Sequence, residues 1–505
     1  MIDDIMSSIF ESGIRGRYSF ETFVLNLLKE HIAKQDKPFS TSEKNQKLGD
    51  GYAEFGFDRF TGPTIVDIKG KASKLTLISA AFGLSARLER ACADIDNLSN
   101  YIIVFGSRVS LEQRKLFDIQ LAAKKVSVNK NVNVILWGLD DLDKLATKHK
   151  KKTKEIVDNI FSLRLEDAIN KSTTDWISER DDLLLKLKSL YKDGQFSLFL
   201  GAGVSSSANM PNWEDLLNSL YVKYINNEFS DEGLIDDSKI SILADWLSSV
   251  NDTSTLMVAR YLRKALLNGS SEDALFTDQI TESLYSNIGD KANDGSPLLT
   301  SIVAMCLPKR RGAKVKSIVT YNFDDLLERQ LEKSKIDYKC IFSEGVINSP
   351  DELPVYHVHG FLPKEKDSFD SIGRSTLVFS EEGYHYIYTN AYHWTNLVQL
   401  NSLRDSSCLM IGLSMTDPNL RRLLDISARS TETIKHYAFL RRLTANRILD
   451  KNHEEGRVVI EEEVISGLLK RHHTLSEELM KDLGVKVVWY EDHKDLPGIL
   501  DSIVD

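Results

Sequence analysis

Short apolar runs alternate with helix-like stretches along the second half of the chain. Each run has four or five residues, and the stretch after it repeats its apolar positions with α-helical spacing. The runs predicted to be strands are Ser197–Leu200, Ser317–Thr320, Val355–Val358, Cys408–Ile411, Tyr437–Leu440 and Val485–Trp489. Strands that alternate with helices are typical of a Rossmann-like, doubly wound parallel sheet. The pattern therefore predicts an α/β domain over residues 193–505.

Two further segments have a helical pattern. Residues 151–192 follow a lysine-rich run and are predicted to be a helical linker, ending in a helix from about 176 to 192. Residues of about 230–299 contain "ILADWL" and "MVARYLRKALL", whose apolar positions have helical spacing. This segment is predicted to be a helical insertion within the α/β domain.

The first 150 residues begin with an amphipathic helix, "YSFETFVLNLLKEHI", followed by two strand-like runs on either side of Thr61-Gly62-Pro63. This order predicts a hairpin. Side chains alternate between the faces of a strand, so Asp67 and Lys69 would point the same way. Asp58 would lie across the turn. Two carboxylates and a lysine can bind Mg²⁺ and activate a water molecule next to a phosphate.

This arrangement resembles the Asp…(Asp/Glu)-x-Lys core of restriction-endonuclease-like folds, particularly the Mrr type. "YIIVFGS" and "VNVILWGLDDLDKL" resemble the strands that complete that fold, and Glu21 matches its accessory acid. The resemblance implies an α/β nuclease-like domain over residues 1–150, Mg²⁺ held by Asp58 and Asp67, Lys69 as a partner, and DNA as ligand. Two alternatives remain: an ordinary pair of strand side chains, or a domain that only binds nucleic acid or a partner.

The stretch "FSLFLGAGVSSSANMPNW" places Gly201 and Gly203 between a predicted strand and a helix. Backbone N–H groups converge at such a turn, which favours phosphate binding. The spacing differs from the dehydrogenase pattern GxGxxG, because Ser206 stands at the third glycine position. A tight turn without any ligand remains the alternative.

Polar residues also follow three other predicted strands. Asn322 and Asp324 follow one strand, His359 ends the next, and Gly412 and Ser414 follow a third. Ligands of open α/β sheets bind at the carboxyl ends of the strands. The sequence therefore predicts a single cleft at this edge. For each residue taken alone, the alternative is a structural role, as a turn former, a helix cap or a histidine hydrogen-bonded within the protein.

His357 would face the other side of its strand and is predicted to be structural. Asp417 is predicted to cap a helix that starts at Pro418.

"GAGVSSSANMPNW", "TYNFDD", "HVHG" and "GLSMTDPN" resemble the sirtuin motifs in order and spacing. The similarity is to the sirtuin-like, NAD-cleaving domains of bacterial anti-phage defence proteins. The resemblance implies that Asn322 and His359 are catalytic, with His359 as general base, and that Asp324 orients the nicotinamide ribose. It also implies pyrophosphate contacts from Gly201, Ala202, Gly203 and Ser205, and adenosine contacts from Gly412 and Ser414.

Two departures from the sirtuin pattern bear on the reaction. Asn209 replaces a common glycine, and Pro211–Trp213 replaces the usual proline-aspartate-phenylalanine-arginine turn. Sirtuin deacylases also carry a four-cysteine zinc module. The four cysteines here are scattered without a CxxC pair, which predicts neither a zinc module nor disulfides. These differences favour hydrolysis of NAD over deacylation.

The charge is distributed unevenly along the chain. The net charge is -10, which excludes a basic nucleic-acid coat, but residues 1–165 carry about +5 and the remainder about -15. No apolar run approaches the roughly 18 residues needed to cross a membrane, and no secretory signal is recognisable. We therefore expect a cytoplasmic protein without a membrane partner.

These observations predict a two-domain anti-phage effector that cleaves NAD to nicotinamide and ADP-ribose, with a nuclease-like domain that senses or cuts DNA. Such an enzyme must be held inactive until it is needed. We therefore expect a homo-oligomer or a partner such as a motor ATPase, with residues 230–299 as a candidate gate. Two alternatives are a Mg²⁺-dependent nuclease in which the sirtuin-like domain senses nucleotides, and an assembly platform for a partner ATPase.

Overall fold

The computed structural model of the chain consists of two compact units. The first comprises Met1–Thr174, Ala428–Ile434 and Val458–Gly484, and the second comprises the three segments between and after them. The structure describes residues 2–10, 13–41, 49–95, 97–123, 132–171, 175–229, 239–240, 242–244, 246, 255–267, 273–286, 295–310, 312–431, 433–446 and 461–504.

The first unit contains a four-stranded sheet with the order β1-β4-β5-β6. Strand β1 is antiparallel to β4, whereas β4, β5 and β6 are parallel. Its strands are β1 (Gly51–Ala53), β2 (Gly56–Phe57), β3 (Phe60–Thr61), β4 (Thr64–Lys69), β5 (Asn100–Phe105) and β6 (Asn133–Trp137). Its first helices are α1 (Ile2–Phe10), α2 (Ile14–Ala33), α3 (Lys74–Asp94), α4 (Leu111–Ala123), α5 (Leu139–Lys148), α6 (Lys150–Asp158) and α7 (Ile160–Lys171).

Both faces of this sheet are covered by helices. Val66 and Ile102 pack in one cluster with the apolar face of α2, and Ile65 and Tyr101 pack in a second cluster with α3. All six residues of β5 are buried, which explains the continuous apolar run of "YIIVF". The α/β character expected for this region is therefore present.

The predicted hairpin around residues 61–63 is wrong. Strand β4 pairs instead with β1, with Gly51 opposite Val66. Between them lies a separate small hairpin of β2 and β3, which turns at Asp58 with a φ angle of 48°. Ala53 pairs with Thr64, the first residue of β4. The small hairpin that follows Ala53, including Asp58, therefore lies outside the span of β4.

The second unit is built on seven parallel strands with the order β13-β12-β11-β7-β8-β10-β9. The strands are β7 (Phe196–Leu200), β8 (Val315–Thr320), β9 (Tyr338–Ile341), β10 (Leu353–His357), β11 (Ser407–Ile411), β12 (His436–Arg441) and β13 (Val485–Tyr490). The six predicted strands are all present, with boundaries within two residues. The sequence pattern missed β9 at the edge of the sheet.

The remaining helices surround this sheet, except for one. They are α8 (Trp176–Lys192), α9 (Ala202–Ser206), α10 (Trp213–Phe229), α11 (Thr255–Leu267), α12 (Asp273–Tyr285), α13 (Pro297–Cys306), α14 (Leu326–Lys333), α15 (Glu381–Thr389), α16 (Trp394–Asp405), α17 (Pro418–Arg429), α18 (Glu462–Asp482) and α19 (Leu496–Val504). Helix α18 belongs to the first unit. None of the helices in the described parts of the chain is long and apolar enough to cross a lipid bilayer.

The structure divides the predicted helical linker between the two units, and it contains helices in the predicted insertion. The predicted linker of residues 151–192 is divided, because α7 belongs to the first unit and α8 to the second. Asp175 caps α8 by accepting a hydrogen bond from Ser178 N at 3.0 Å, which fixes its start at Trp176. The predicted insertion contains helices α11 and α12, and its residues 230–238, 247–254, 268–272 and 287–294 lie outside the described residues.

Candidate active site

The glycine turn lies at the point where the order of the seven-stranded sheet reverses. Strand β7 has β8 on one side and β11 on the other, so the chain leaves β7 in one direction and later returns to its other edge. Gly201 N donates to Ile411 O at 3.0 Å, and Gly203 N donates to Gly412 O at 2.9 Å. Ligands of doubly wound sheets bind at this switch point.

The glycines of this turn are required by packing of the protein itself. A Cβ atom on Gly203 would lie 2.9 Å from Gly412 Cα, and one on Gly201 would lie 2.5 Å from Leu413 Cδ2. Gly412 has a φ angle of 69°, which also favours glycine. The sequence interpretation attributed the missing side chains to a phosphate, but the loop after β11 already occupies that space.

Asn322 is fixed by the turn after β7. Its Nδ2 donates to Gly201 O at 3.0 Å and to Ser205 Oγ at 2.7 Å. Ser205 Oγ in turn donates to Asp324 Oδ2 at 2.6 Å. The buried hydroxyl of Ser205 therefore links Asn322 to Asp324 in the neighbouring loop.

Asp324 lies in an environment that disfavours its charged form. The carboxylate is buried, and it also accepts a hydrogen bond from Leu326 N at 3.1 Å. Burial raises the pKa of Asp324 to about 6, because its effect on the pKa is larger than the opposing effect of the hydrogen bonds from Ser205 and Leu326. The side chain can therefore exchange a proton near neutral pH.

His357 faces away from the cleft, as predicted, and holds the backbone of Asn322. Its Nδ1 lies 3.1 Å from Asn322 O, and its Nε2 lies 2.7 Å from Glu328 Oε1. Both side chains are 1 % exposed. Ligand atoms of Cys340, Glu328 and His357 all lie within 4.8 Å of one another, the one such metal-competent group among the described residues. The 2.7 Å distance between His357 Nε2 and Glu328 Oε1 is the length of a hydrogen bond.

His359 is enclosed by two tyrosine rings. Its imidazole meets Tyr321 at 4.8 Å and Tyr384 at 5.7 Å between ring centres, in both cases edge to face. Burial lowers the pKa of His359, while the charge of Asp417 opposes this shift. The imidazole is therefore neutral near pH 7, which is the form that accepts a proton.

Asp417 is a residue whose place in the site the sequence interpretation missed. As predicted, it caps α17, because Leu420 N donates to its Oδ1 at 2.6 Å and the helix begins at Pro418. Its Oδ2 accepts a hydrogen bond from Tyr384 OH at 2.5 Å and lies 3.6 Å from His359 Nε2. The helix-cap pattern concealed this second set of contacts.

These groups line one cleft of about 750 Å³, a volume typical of sites for cofactor-sized ligands. Eight of the nine residues predicted for this site lie on its wall, namely Ala202, Gly203, Ser205, Asn322, Asp324, His359, Gly412 and Ser414. Gly201 lies directly behind it as the acceptor for Asn322. The helical segment contributes Thr255, Leu256 and Leu284.

Part of the chain is similar to known proteins. A family model described as "SIR2-like domain" matches residues 316–460. The NAD(+) hydrolase ThsA of Enterococcus faecium is 24% identical over 328 residues. That alignment covers 64% of this chain, and 57% of the relative's length. Residues 316–460 are therefore similar to a SIR2-like domain, and the chain is distantly similar to an NAD(+) hydrolase.

The SIR2-like match includes five of the predicted site positions, Asn322, Asp324, His359, Gly412 and Ser414, and it begins after the glycine turn. The structure brings that turn to the matched region through the pairing of β7 with β8 and β11. The Rossmann-like topology predicted for this unit agrees with the parallel sheet and with the SIR2-like match.

The first unit has a separate cluster of charged residues. Asp67 Oδ1 contacts Lys69 Nζ at 2.5 Å, and its Oδ2 contacts Arg87 Nη1 at 2.6 Å and Tyr101 OH at 3.3 Å. Asp67 is buried, so the two cations compensate its charge. Asp67 and Lys69 point together, as predicted, and α3 supplies the additional Arg87.

The predicted pairing of Asp58 with Asp67 is wrong. Asp58 Oδ2 lies 2.8 Å from His31 Nε2, and its Oδ1 accepts from Gln35 Nε2 at 3.0 Å. Asp58 lies in the turn between β2 and β3, before β4 begins at Thr64, and Thr64 and Asp67 are about 10 Å apart along that strand. These two carboxylates therefore do not fit one magnesium ion.

Asp50 occupies the position that the sequence interpretation gave to Asp58. It directly precedes β1, and its Oδ2 accepts a hydrogen bond from Ile68 N at 2.5 Å. Burial, with the charges of Glu21 and Asp67, raises the pKa of Asp50 to about 7. The register that pairs Gly51 with Val66 places Asp50 opposite Asp67, and Glu21 lies close enough for its charge to act on Asp50.

Proposed function

We propose that the protein is an NAD⁺ hydrolase that breaks the bond between nicotinamide and ribose. The observation that carries this proposal is the convergence of Asn322 and His359 on the cleft at the Gly201–Gly203 turn. The match of this region to a SIR2-like domain and the distant similarity to an NAD(+) hydrolase support it. The proposed reaction is hydrolysis, because no sirtuin-type cysteine spacing occurs in the sequence.

NAD would lie across the switch point with its pyrophosphate at the turn of Gly201, Ala202 and Gly203. Ser414 is exposed on the opposite wall next to Gly412, and it would contact the adenosine side. Asn322 and Asp324 would hold the nicotinamide ribose. The hydrogen bonds from Asn322 to Gly201 and Ser205 support this role, because they hold the carboxamide in place before the substrate binds.

The chemical step needs little from the protein. The bond from C1′ to the pyridinium nitrogen breaks, its electron pair stays with nicotinamide, and an oxocarbenium-like ribose forms. A water oxygen then bonds to C1′, and His359 accepts the proton that this water loses. The lowered pKa of His359 supports this role, because a buried neutral imidazole is available as a base at pH 7.

Release of free nicotinamide from NAD by the purified protein tests the proposal. We expect His359→Ala to reduce kcat by about 10²-fold or more, since loss of general-base catalysis costs about 10²–10⁴-fold. Asn322→Ala should reduce kcat by about 10²-fold, since the ribose is no longer held in position. His493→Ala is a matched control, because this histidine is exposed in the same unit and away from the cleft wall. Wild-type turnover by both cleft variants would refute the assignment.

In the cell, the proposed role is that of an anti-phage effector that depletes NAD. The cleft walls supplied by Thr255, Leu256 and Leu284 support the helical segment as a gate. A homo-oligomer or a partner ATPase would hold this gate closed. Measuring nicotinamide release with and without DNA, alongside the particle mass in solution, tests the trigger and the assembly state.

A second candidate function is Mg²⁺-dependent cleavage of DNA by the first unit, with the SIR2-like domain as a nucleotide sensor. The position of Asp50 opposite Asp67 and Lys69 favours it, because it restores the two-carboxylate-and-lysine set that Asp58 fails to complete. Mg²⁺ bound there would polarise a phosphate and activate water. Replacing Asp67 and Lys69 together by alanine should abolish DNA cleavage while NAD hydrolysis continues; unchanged cleavage would exclude the nuclease.

A further inference from the structure

His359 has an unusual pair of ring nitrogens. Only Nε2 is both sealed from solvent and without a hydrogen-bond partner among the described residues. A buried polar atom without a partner is unfavourable, so it points to a contact that forms in another state of the site. The nearest acceptor is Asp417 Oδ2, at 3.6 Å.

The carboxylate of Asp417 is held in position by other groups. Leu420 N binds one oxygen at 2.6 Å and Tyr384 OH binds the other at 2.5 Å. Both are donors, so they stabilise the ionised carboxylate. A shift of less than about 1 Å by the imidazole would bring Nε2–H into hydrogen-bond range of this acceptor.

We propose that Asp417 is a positioning residue that fixes the tautomer of His359, with the proton on Nε2 and the lone pair on Nδ1. This inference rests on the proposed hydrolysis of NAD and names the atom that would take the proton. A carboxylate accepts from an imidazole N–H and cannot donate to it, so the proton must lie on the nitrogen that faces Asp417. Nδ1 then takes the proton of the attacking water, and Asp417 stabilises the imidazolium that results.

Among the described residues, Asp417 is the charged group that can fill this role. The two rings packed edge to face against the imidazole belong to Tyr321 and Tyr384. Burial raises the pKa of both tyrosines, so both are neutral near pH 7. Asp417 is also the one charge in the described chain whose effect on His359 is resolved. The carboxylate therefore sets the preference between the two ring nitrogens.

Asp417→Asn tests the proposal, because asparagine keeps the size and the helix cap while its amide can donate to Nε2. We expect kcat for NAD to fall about 10²-fold or more, with KM within about threefold. The acid limb of the kcat profile should move to lower pH, since the imidazolium has lost its stabilising carboxylate. Asp501→Asn, an exposed aspartate of the same unit, should leave both unchanged.

Nitrogen NMR of histidine-labelled protein provides a readout that is independent of turnover. We expect wild-type His359 to carry its proton on Nε2 and the Asp417→Asn variant to carry it on Nδ1, with His359→Asn identifying the signal. A wild-type proton on Nδ1, or a variant with wild-type kcat, overturns the proposal. Absence of nicotinamide release from the wild type would reject the hydrolase function alone, because the tautomer is still measured.

Discussion

Gly203 and Gly412 lie in direct backbone contact across the switch point of the seven-stranded sheet. Gly203 N donates to Gly412 O at 2.9 Å, and the space in which a Gly203 side chain would start lies 2.9 Å from Gly412 Cα. The two loops that line the proposed phosphate region thus form one unit of structure. The glycine content of the turn follows from this contact, before any ligand is considered.

Gly203→Ala should destabilise the second unit. The new methyl group would meet backbone atoms that cannot move aside as a flexible side chain would, so we expect the free energy of unfolding to fall by about 1–3 kcal/mol in urea denaturation. Gly498→Ala is the control, because no atom lies within 4 Å of its Cβ position and alanine favours the helix there. Equal stability of the two variants would contradict the packing explanation.

Asp324→Asn should stabilise the folded protein in the absence of NAD. The native carboxyl titrates near pH 6 and the unfolded one near its ordinary 3.8, so stability is lost as pH rises between these values. Asparagine removes this loss of stability, and we expect a gain of about 3 kcal/mol at pH 7.5 that disappears near pH 4. Denaturation at both pH values measures it; a gain that is independent of pH would exclude ionisation as the cause.

His436 should make the second unit sensitive to acid. Burial lowers the pKa of His436 to about 3, and its Nδ1 accepts a hydrogen bond from Cys408 N at 3.2 Å. The unfolded chain takes up a proton below pH 6.5 that the native state does not, so stability falls as pH decreases, by about 1.4 kcal/mol per unit. His436→Asn keeps an acceptor without a titratable group, and its stability should change less between pH 6 and 4.

The strands could be predicted from the sequence because parallel strands buried on both faces form continuous apolar runs. All five residues of β11 are buried, for example, and its run was recognised. Strand β9 was missed because it lies at the sheet edge, where three of its four residues are only half-buried. The pattern of an edge strand is too weakly apolar to distinguish it from a loop.

The site was predicted in part, since residues at the carboxyl ends of adjacent parallel strands must lie close together. His359 and Asn322 were found in this way and share the cleft. Asp58 was assigned to the wrong place because the turn that it occupies lies inside what reads as one strand. The contact of Asp417 with His359 depends on how two distant loops meet, which no local pattern records.

Asp50→Asn should weaken Mg²⁺ binding by the first unit, whereas Asp58→Asn should not. Asp50 lies opposite Asp67, whereas Asp58 is engaged by His31 and Gln35. We expect Asp50→Asn to weaken Mg²⁺ binding by about tenfold or more, in isothermal titration, and Asp58→Asn to leave it unchanged. Equal binding by wild type and both variants would place any metal elsewhere.

The course of the chain also limits how this protein can be divided into fragments that each contain one unit. Residues 428–434 and 458–484 belong to the first unit, although strands of the second unit flank them in the sequence. Arg164, which is buried, meets Glu478 at 2.9 Å and Asp482 at 2.8 Å in helix α18. A fragment cut at residue 174 would leave this arginine without either carboxylate. Cutting the chain at a single position therefore cannot yield two intact units, and tests of each proposed activity require the whole polypeptide.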